Sequence, residues 1–160
     1  GRVLKDEMKK VRDFHEKFRF QIDQNIEDMT APCDETLRYQ AQLIRAAADT
    51  MLELGLKWDA LYSDRRAICA SLLLEELAET IVAMANKNNV RLADGVGDLL
   101  YVVIGIAVQF KLPLKEIFEE IHASNMSKTW NENDPRIRVK DTTKGYFPPN
   151  LAKVLNDNAQ

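Results

Sequence analysis

Apolar residues recur at helical spacing through most of the chain, and no alternating pattern long enough for a strand is present. Residues 3–20 carry one apolar face made of Leu4, Met8, Val11 and Phe18. The same periodicity predicts further helices over about 35–54, 64–87, 90–110 and 114–128. The pattern therefore predicts an all-α fold, a helical bundle of about five helices joined by short loops.

Residues that favour helix ends lie where these patterns begin and stop. Asp34 is suited to cap the second helix and Gly55 to close it. Ser63 or Asp64 could cap the third helix, and Pro113 fits the first turn of the fifth. From residue 130 onward the chain is rich in Asn, Asp, Lys and Pro, which indicates an extended arm over 130–160. We therefore expect one domain, 1–160, that ends in this arm.

Composition narrows the class of protein. The chain has 160 residues, 46% of them hydrophobic and 29% charged, as in a soluble globular domain with a real core. Its net charge of −3, with Lys and Arg scattered along the sequence, gives no basic surface for nucleic acid. The apolar run Leu99–Phe110 is too short to span a bilayer and is expected in a buried helix, so no membrane partner is predicted.

The termini and the cysteines add a weaker indication of compartment. The N-terminal residues alternate in charge, unlike a signal peptide. Cys33 and Cys69 lack the spacing of a metal or redox motif, which is typical of a reduced setting. We therefore expect a cytoplasmic protein.

The third helix carries a dense acidic patch. At about 100° per residue, Glu75, Glu76 and Glu79 fall within an arc of about 100°. The same arc holds apolar residues one turn before and after, Leu72 and Ala83, so the patch lies within an apolar surface. Like charges at these spacings repel each other, and a cation would relieve that repulsion.

The fourth helix carries a second acidic pair. Asp94 and Asp98 lie about 40° apart on one face, which continues through Tyr101 and looks like a core face. Antiparallel packing of the two helices would bring all five carboxylates together in a sheltered pocket. Carboxylates without histidine favour a hard divalent ion, so the sequence predicts a Mg²⁺ site, with Mn²⁺ as the alternative ion.

Simpler interpretations stay open at this point. A solvated helix face could explain the three glutamates, and helix capping explains Asp94 as well as metal binding does. Capping does not explain Asp98, which lies well inside the helix. An iron-carboxylate bundle needs Glu-x-x-His on two helices, whereas this chain has it once, at Glu119 and His122.

Glu75-Glu76-x-x-Glu79, a short turn, and Asp94-Gly-Val-Gly-Asp98-Leu-Leu-Tyr resemble the all-α nucleoside triphosphate pyrophosphohydrolase superfamily. This superfamily includes MazG-like proteins. The later Glu-Ile-His-x-Ser-Asn125-Met-Ser-Lys128 and Lys-Gly-Tyr-Phe-Pro-Pro-Asn-Leu resemble its phosphoribosyl-ATP pyrophosphohydrolase-like branch. The resemblance covers about residues 8–20 and 70–151.

The resemblance implies a MazG-like fold and Mg²⁺-dependent cleavage between the α- and β-phosphates of a nucleoside triphosphate. Carried over by motif, Glu75, Glu76, Glu79 and Asp98 bind the metal. The family commonly has Glu-x-x-Asp in the second motif, but Gly95 stands three residues before Asp98, and the acid is displaced to Asp94.

The resemblance also assigns substrate contacts outside the acids. Asn125 and Lys128 resemble its substrate-binding pair, although both residue types also suit a helix end. In phosphoryl-group chemistry, a carboxylate not fully engaged by metal, here Glu76, would take the proton of the attacking water. Aromatic residues of the arm could cover a nucleotide base or pack on a neighbouring subunit: Trp130, Tyr146 and Phe147.

Three functional hypotheses follow. The first is a pyrophosphohydrolase that removes non-standard or surplus nucleotides. The second is phosphoribosyl-ATP hydrolysis in histidine biosynthesis, against which the longer N-terminal half and the tail count. The third is a non-catalytic helical oligomerisation module, which the Gly95 departure keeps open. The resemblance and the large apolar faces of the first two helices imply a homodimer or homotetramer.

Overall fold

The structure, a computed structural model, describes residues 2–53, 55, 64–134 and 138–159. Six α-helices lie in these residues: α1 (Arg2–Lys17), α2 (Asp34–Glu53), α3 (Arg65–Ala85), α4 (Asn89–Gln109), α5 (Leu114–Met126) and α6 (Leu151–Asp157). Two short strands, β1 (Thr129–Trp130) and β2 (Arg138–Val139), pair antiparallel. The predicted all-α class is confirmed, because the described part of the chain is a helical bundle with this one small sheet.

The ends of α2 and α3 follow from their capping residues. Gly55 adopts φ +81 two residues after α2 ends, as expected of a helix-closing glycine. Asp64 caps α3, since its carboxylate accepts the backbone N–H of Arg66 at 2.9 Å. The Arg66 guanidinium also donates to Asp64, and together these bonds lower the pKa of Asp64 to about 2. Ser63, the other predicted cap, lies outside the described residues.

Three helices, α1, α3 and α4, are followed within two residues by a non-glycine residue in the left-handed region, which after α4 is Lys111 at φ 56. Arg19, at φ 56, follows the end of α1, which stops three residues short of the predicted 3–20 helix. Lys87, at φ 55, follows α3, and the Asn88 N–H donates to the Ala83 carbonyl at 3.0 Å across this turn. This hydrogen bond is that of a Schellman motif, which reverses the chain directly into α4.

The described residues form two compact units. The first unit, Asn25–Phe110, holds α2, α3 and α4, with α3 packed against both other helices. The buried residues of α3 are small: Cys69, Ala78, Thr80, Ala83 and Ala85. Small side chains let helix backbones approach closely. The single domain predicted for 1–160 stays a prediction.

Helix α4 is less buried than its sequence predicts. Gly95 and Ala107 lie on the face that packs inward. On the opposite face Tyr101 is 82% exposed and Val108 is 74% exposed. The expectation of a buried Leu99–Phe110 helix is therefore wrong for the single chain, and Tyr101 is not a core residue. The physical reason is that α4 has apolar residues on two opposite faces, and α3 covers only one of these faces.

Helix α4 is also long and apolar enough to cross a membrane, judged by length and composition only. Its N-terminal half carries three charged residues, Arg91, Asp94 and Asp98. The absence of a membrane partner stays a prediction.

The second unit comprises Gly1–Gln24 and Lys111–Gln160. Phe18 is 1% exposed and packs beside Phe14 and Phe20, and the Arg138 guanidinium of β2 lies 5.1 Å from the Phe20 ring centroid. The aromatic cluster at the end of α1 therefore forms a core of its own.

The C-terminal arm is only partly extended, which corrects the expectation for 130–160. It contains β2 and α6, and it is tied to α5 by hydrogen bonds. The buried Ser124 hydroxyl donates to the Phe147 carbonyl at 2.8 Å, and the Glu120 carboxylate accepts the Asn150 N–H at 2.9 Å. The Asn150 side chain in turn caps α6. A short helix in a polar segment has little apolar periodicity, so the sequence pattern did not reveal it.

Candidate active site

Glu76 is the most sheltered of the five predicted acids. Its side chain is half-buried on α3, one turn before the buried Thr80, whereas Glu75 and Glu79 are exposed. The Oε2 atom of Glu76 is fully buried and has no hydrogen-bond partner among the described residues. A buried carboxylate oxygen without a partner is costly for folding. Such a group therefore calls for a functional explanation.

The electrostatic surroundings of Glu76 show that both helices contribute acid to this position. Burial raises the pKa of Glu76, and the negative charges of Glu79, Asp98 and Glu75 raise it further, in that order. Asp98 lies on α4, so the predicted approach of the two acidic motifs does occur around Glu76. Carboxylates with raised pKa values are frequent in active sites because they can exchange protons near neutral pH.

The spacing of α3 and α4 depends on Gly95. A Cβ atom added there would lie 2.5 Å from Thr80 Oγ1 and 3.1 Å from Thr80 Cα. The Thr80 hydroxyl donates to the Glu76 carbonyl at 2.7 Å, one turn earlier. Gly95 thus allows the two backbones to approach just beside Glu76. A glutamate at this position, as in the common family pattern, would force the helices apart.

Asp94, the displaced acid, lies at a cleft shared with Glu79. This cleft of about 330 Å³ lies within the first unit, at the end of α3 and the start of α4. Its lining residues are Arg45, Glu79, Val82, Ala83, Asn86, Asn88, Arg91, Asp94 and Gly95. Glu79 therefore lies close enough to Glu76 to raise its pKa, and it also lines the cleft that contains Asp94.

The predicted sheltered pocket of five carboxylates is not formed by the single chain. Glu75, Glu79, Asp94 and Asp98 all have exposed side chains. Among the residues that the structure describes, no three acids, histidines or cysteines are grouped closely enough to hold a metal ion. Like charges at helical spacing repel each other, which favours side chains that spread into solvent.

The donor set nevertheless fits a hard divalent cation. All the candidate ligands are carboxylate oxygens, which Mg²⁺ and Mn²⁺ prefer. The buried, unpartnered Glu76 Oε2 and the raised pKa of Glu76 mark the position where negative charge most needs compensation. Glu76, Glu79 and Asp98 are the residues that could share an ion there, with Asp94 at the adjoining cleft.

The predicted substrate pair Asn125 and Lys128 lies in the second unit. Asn125 is in the last turn of α5, and its carbonyl accepts the Lys128 N–H at 3.2 Å. Lys128 follows the end of the helix at Met126, so the two residues are not on one helix as predicted. Their role in substrate binding stays a prediction.

The cleft also contains polar residues that the sequence reasoning missed. Arg45 lies on α2, Asn86 and Asn88 lie in the turn between α3 and α4, and Arg91 lies in the first turn of α4. Arg91 stands one turn before Asp94, and this spacing was a signal that could have been used. Arg45 gave no signal, because only the packing of α2 against α3 places it at the cleft.

Comparison with known proteins gives one finding. The family model of phosphoribosyl-ATP pyrophosphohydrolase matches residues 57–125. No curated protein and no solved structure matches the chain. The matched segment contains α3 and α4 with all five acids and extends to Asn125. The resemblance predicted from the motifs is therefore confirmed over this segment.

Proposed function

We propose that this chain, matched over residues 57–125 by the phosphoribosyl-ATP pyrophosphohydrolase family model, is a Mg²⁺-dependent nucleoside triphosphate pyrophosphohydrolase. The match supports nucleotide pyrophosphohydrolase activity in general. The proposed reaction cleaves the bond between the α- and β-phosphates, and the products are a nucleoside monophosphate and pyrophosphate. Its role would be to remove surplus or non-standard nucleotides.

One observation carries the proposal. The segment that matches the family model is also the segment in which half-buried Glu76 has a raised pKa and one buried carboxylate oxygen without a hydrogen-bond partner among the described residues. A structural glutamate would normally be exposed or paired. An unpaired one beside three other acids is better explained by chemistry than by stability.

A divalent ion at the site would be held by Glu76, Glu79 and Asp98, with Asp94 as a further ligand from the cleft. When bound, it would neutralise phosphate charge and lower the pKa of water. The chain itself supplies the remaining functions. Glu79 and Asp94, both exposed at the cleft, would hold the ion on the side from which the phosphate chain enters, and the close contact at Gly95 sets the spacing of the helices that carry them.

Glu76 is the proposed general base. It would act through a carboxylate oxygen that the ion does not engage, and in the chain without metal its pKa is raised by burial and by the neighbouring acids. During attack on the α-phosphate, Glu76 takes the proton of the water as the new P–O bond forms. The bond to the β-phosphate breaks, and its electron pair leaves with pyrophosphate.

We also propose that a second copy of the chain covers the exposed face of α4. We call this face the outer α4 stripe, and it consists of Val90, Leu100, Tyr101, Ile104 and Val108. A helix that is apolar on two sides is normally covered on both. A contiguous apolar face of this kind marks an interaction site, and a homodimer is the assembly that the family resemblance implies.

The test is a substrate panel. Purified protein is incubated with ribo- and deoxyribonucleoside triphosphates and with phosphoribosyl-ATP, and released pyrophosphate and orthophosphate are measured separately. We expect pyrophosphate from at least one nucleoside triphosphate, no release in EDTA, and recovery with Mg²⁺. Pyrophosphate from phosphoribosyl-ATP alone would favour the second enzymatic hypothesis.

The exposed Glu53 provides a matched control for this panel. Glu53→Gln makes the same chemical change as Glu79→Gln in the same unit, but lies outside the cleft. We expect Glu79→Gln to lower turnover by at least tenfold and Glu53→Gln to leave it unchanged. If no substrate in the panel is hydrolysed with either Mg²⁺ or Mn²⁺, the non-catalytic module is the better account.

A further inference from the structure

We propose that Arg45 and Arg91 form a binding site for the phosphate chain of the substrate in the cleft beside Glu79 and Asp94. This inference rests on the proposed function and identifies how the same cleft recognises its substrate. Arg45 reaches the cleft from α2 and Arg91 from the first turn of α4. Two arginines that line one cleft match a ligand with several phosphate groups, because each guanidinium can donate two parallel hydrogen bonds to phosphate oxygens.

The pairing of the arginines in this unit supports the inference. Three arginines are engaged: Arg38 with Asn86 and Glu35, Arg65 with Gln109, and Arg66 with Asp64. The other two, Arg45 and Arg91, make no side-chain hydrogen bond or ion pair with the residues that the structure describes. The two arginines without such a partner are therefore the two that line the cleft.

The two acids that line the cleft do not neutralise these two arginines. Glu79 and Asp94 line the same space, yet neither forms an ion pair with Arg45 or Arg91 within the described part of the chain. A cleft with unpaired groups of both signs suits a ligand that also carries both signs, namely a polyphosphate with a divalent cation. The acids would meet the cation, and the arginines would meet the phosphate oxygens.

The local backbone is consistent with an anion at this position. Asn88 caps α4 by accepting the Arg91 N–H at 3.0 Å, so the cleft lies at the N-terminal end of a 21-residue helix. The helix dipole favours negative charge at that end. This effect adds to the arginines but does not replace them.

The experiment measures binding of inorganic pyrophosphate in Mg²⁺ buffer by calorimetry. Pyrophosphate is the probe because it has the phosphate chain without base or sugar. We expect Arg45→Gln and Arg91→Gln each to weaken binding about tenfold, the usual effect of losing one charge-assisted contact. Arg66→Gln, the same change at an arginine outside the cleft, should bind as the wild type does, and thermal melting should show all three variants folded.

The outcomes separate this inference from the proposed function. Wild-type affinity for pyrophosphate in both cleft variants, or no binding by the wild type, would overturn the inference, even if nucleoside triphosphates are hydrolysed. Arginine-dependent binding of pyrophosphate without any hydrolysis would leave the phosphate site standing and remove the enzymatic proposal. With hydrolysis present, the inference also requires a higher KM in Arg45→Lys, because an ammonium cannot make the bidentate contact.

Discussion

Glu76 carries the functional argument at the scale of single residues. Its buried, unpartnered oxygen and its three acidic neighbours make the charged form unfavourable in the folded chain. We expect a residue that lowers stability in this way to serve the reaction, as is common where activity and stability conflict. We therefore expect Glu76 to lower the stability of the folded chain and to be necessary for turnover.

The stability of a Glu76→Gln variant tests whether Glu76 destabilises the folded chain. Since the folded pKa of Glu76 is raised, the unfolded chain loses its proton first as the pH rises, and the folded wild type is progressively disfavoured. In metal-free buffer, we expect the variant to be more stable than the wild type near neutral pH by about 0.5–2 kcal/mol, a usual gain for a relieved charge conflict. Below the ordinary pKa of glutamate, near pH 3.5, the difference should vanish.

Urea unfolding at several pH values gives this comparison, with Glu53→Gln as the control at an exposed position. The control should show no pH-dependent gain of similar size. A Glu76→Gln variant that is less stable than the wild type at neutral pH would mean that Glu76 has a stabilising partner, contrary to its unpartnered oxygen.

The residues of the site were partly predictable. The acids on α3 follow directly from helical spacing, and Glu76 was already the expected base. Which of the three glutamates is most buried was not predictable. Helical periodicity places Glu75, Glu76 and Glu79 within one arc of α3, but it does not show which edge of that arc packs against α4. Only the contact of Thr80 with Gly95 shows that Glu76 lies on the packed side.

At the scale of elements, the α3–α4 hairpin is the unit that forms the site. The helix boundaries lie within a few residues of those predicted, since caps and apolar periodicity are local signals. The face of α4 that packs was predicted less well. The face that runs from Asp94 to Tyr101 was expected to be a core face, but the buried residues of α4 are Gly95 and Ala107. Gly95 offers no hydrophobic signal in the sequence.

A Gly95→Ala substitution tests the role of that contact. The new methyl group would lie within 3.1 Å of the Thr80 backbone, so the helices must separate. Overpacking typically costs about 1–3 kcal/mol, which exceeds the gain of up to about 1 kcal/mol from replacing glycine inside a helix. We expect a net loss in the free energy of unfolding, together with lower activity because the acids of α3 and α4 move apart.

Gly105→Ala is the control on the same helix. The nearest atom to its new methyl group is Gln109 Nε2 at 3.7 Å, an ordinary contact. This variant should be as stable as the wild type or slightly more so. If Gly95→Ala behaves in the same way in thermal or urea unfolding, the close approach at Thr80 does not set the helix spacing.

At the scale of the whole molecule, the outer α4 stripe is the feature that a single chain leaves unexplained. An oligomer was predicted from the resemblance and from the apolar faces of the first two helices, and the structure adds an exposed apolar face on α4. The run Leu99–Phe110 looked like a buried helix because its composition does not show whether the covering surface comes from the same chain or from another.

Light scattering coupled to size exclusion tests the proposed assembly. We expect a mass of at least two chains for the wild type and a shift toward one chain for Val108→Asp, which places a charge in the outer α4 stripe. Met29→Asp introduces the same charge at an exposed apolar residue away from the stripe and should leave the mass unchanged. A wild type that is monomeric at high concentration would contradict the assembly.

Phosphorus NMR tests most directly whether the chain cleaves between the α- and β-phosphates with Glu76 as the general base. Wild type and Glu76→Gln are each incubated at saturating Mg²⁺ with a nucleoside triphosphate that was hydrolysed in the panel, and their products are compared. We expect monophosphate and pyrophosphate from the wild type. We also expect at least a hundredfold slower turnover by the folded variant, the usual effect of losing a general base. Diphosphate and orthophosphate as products, or turnover by Glu76→Gln within a few-fold of the wild type, would contradict the proposed mechanism.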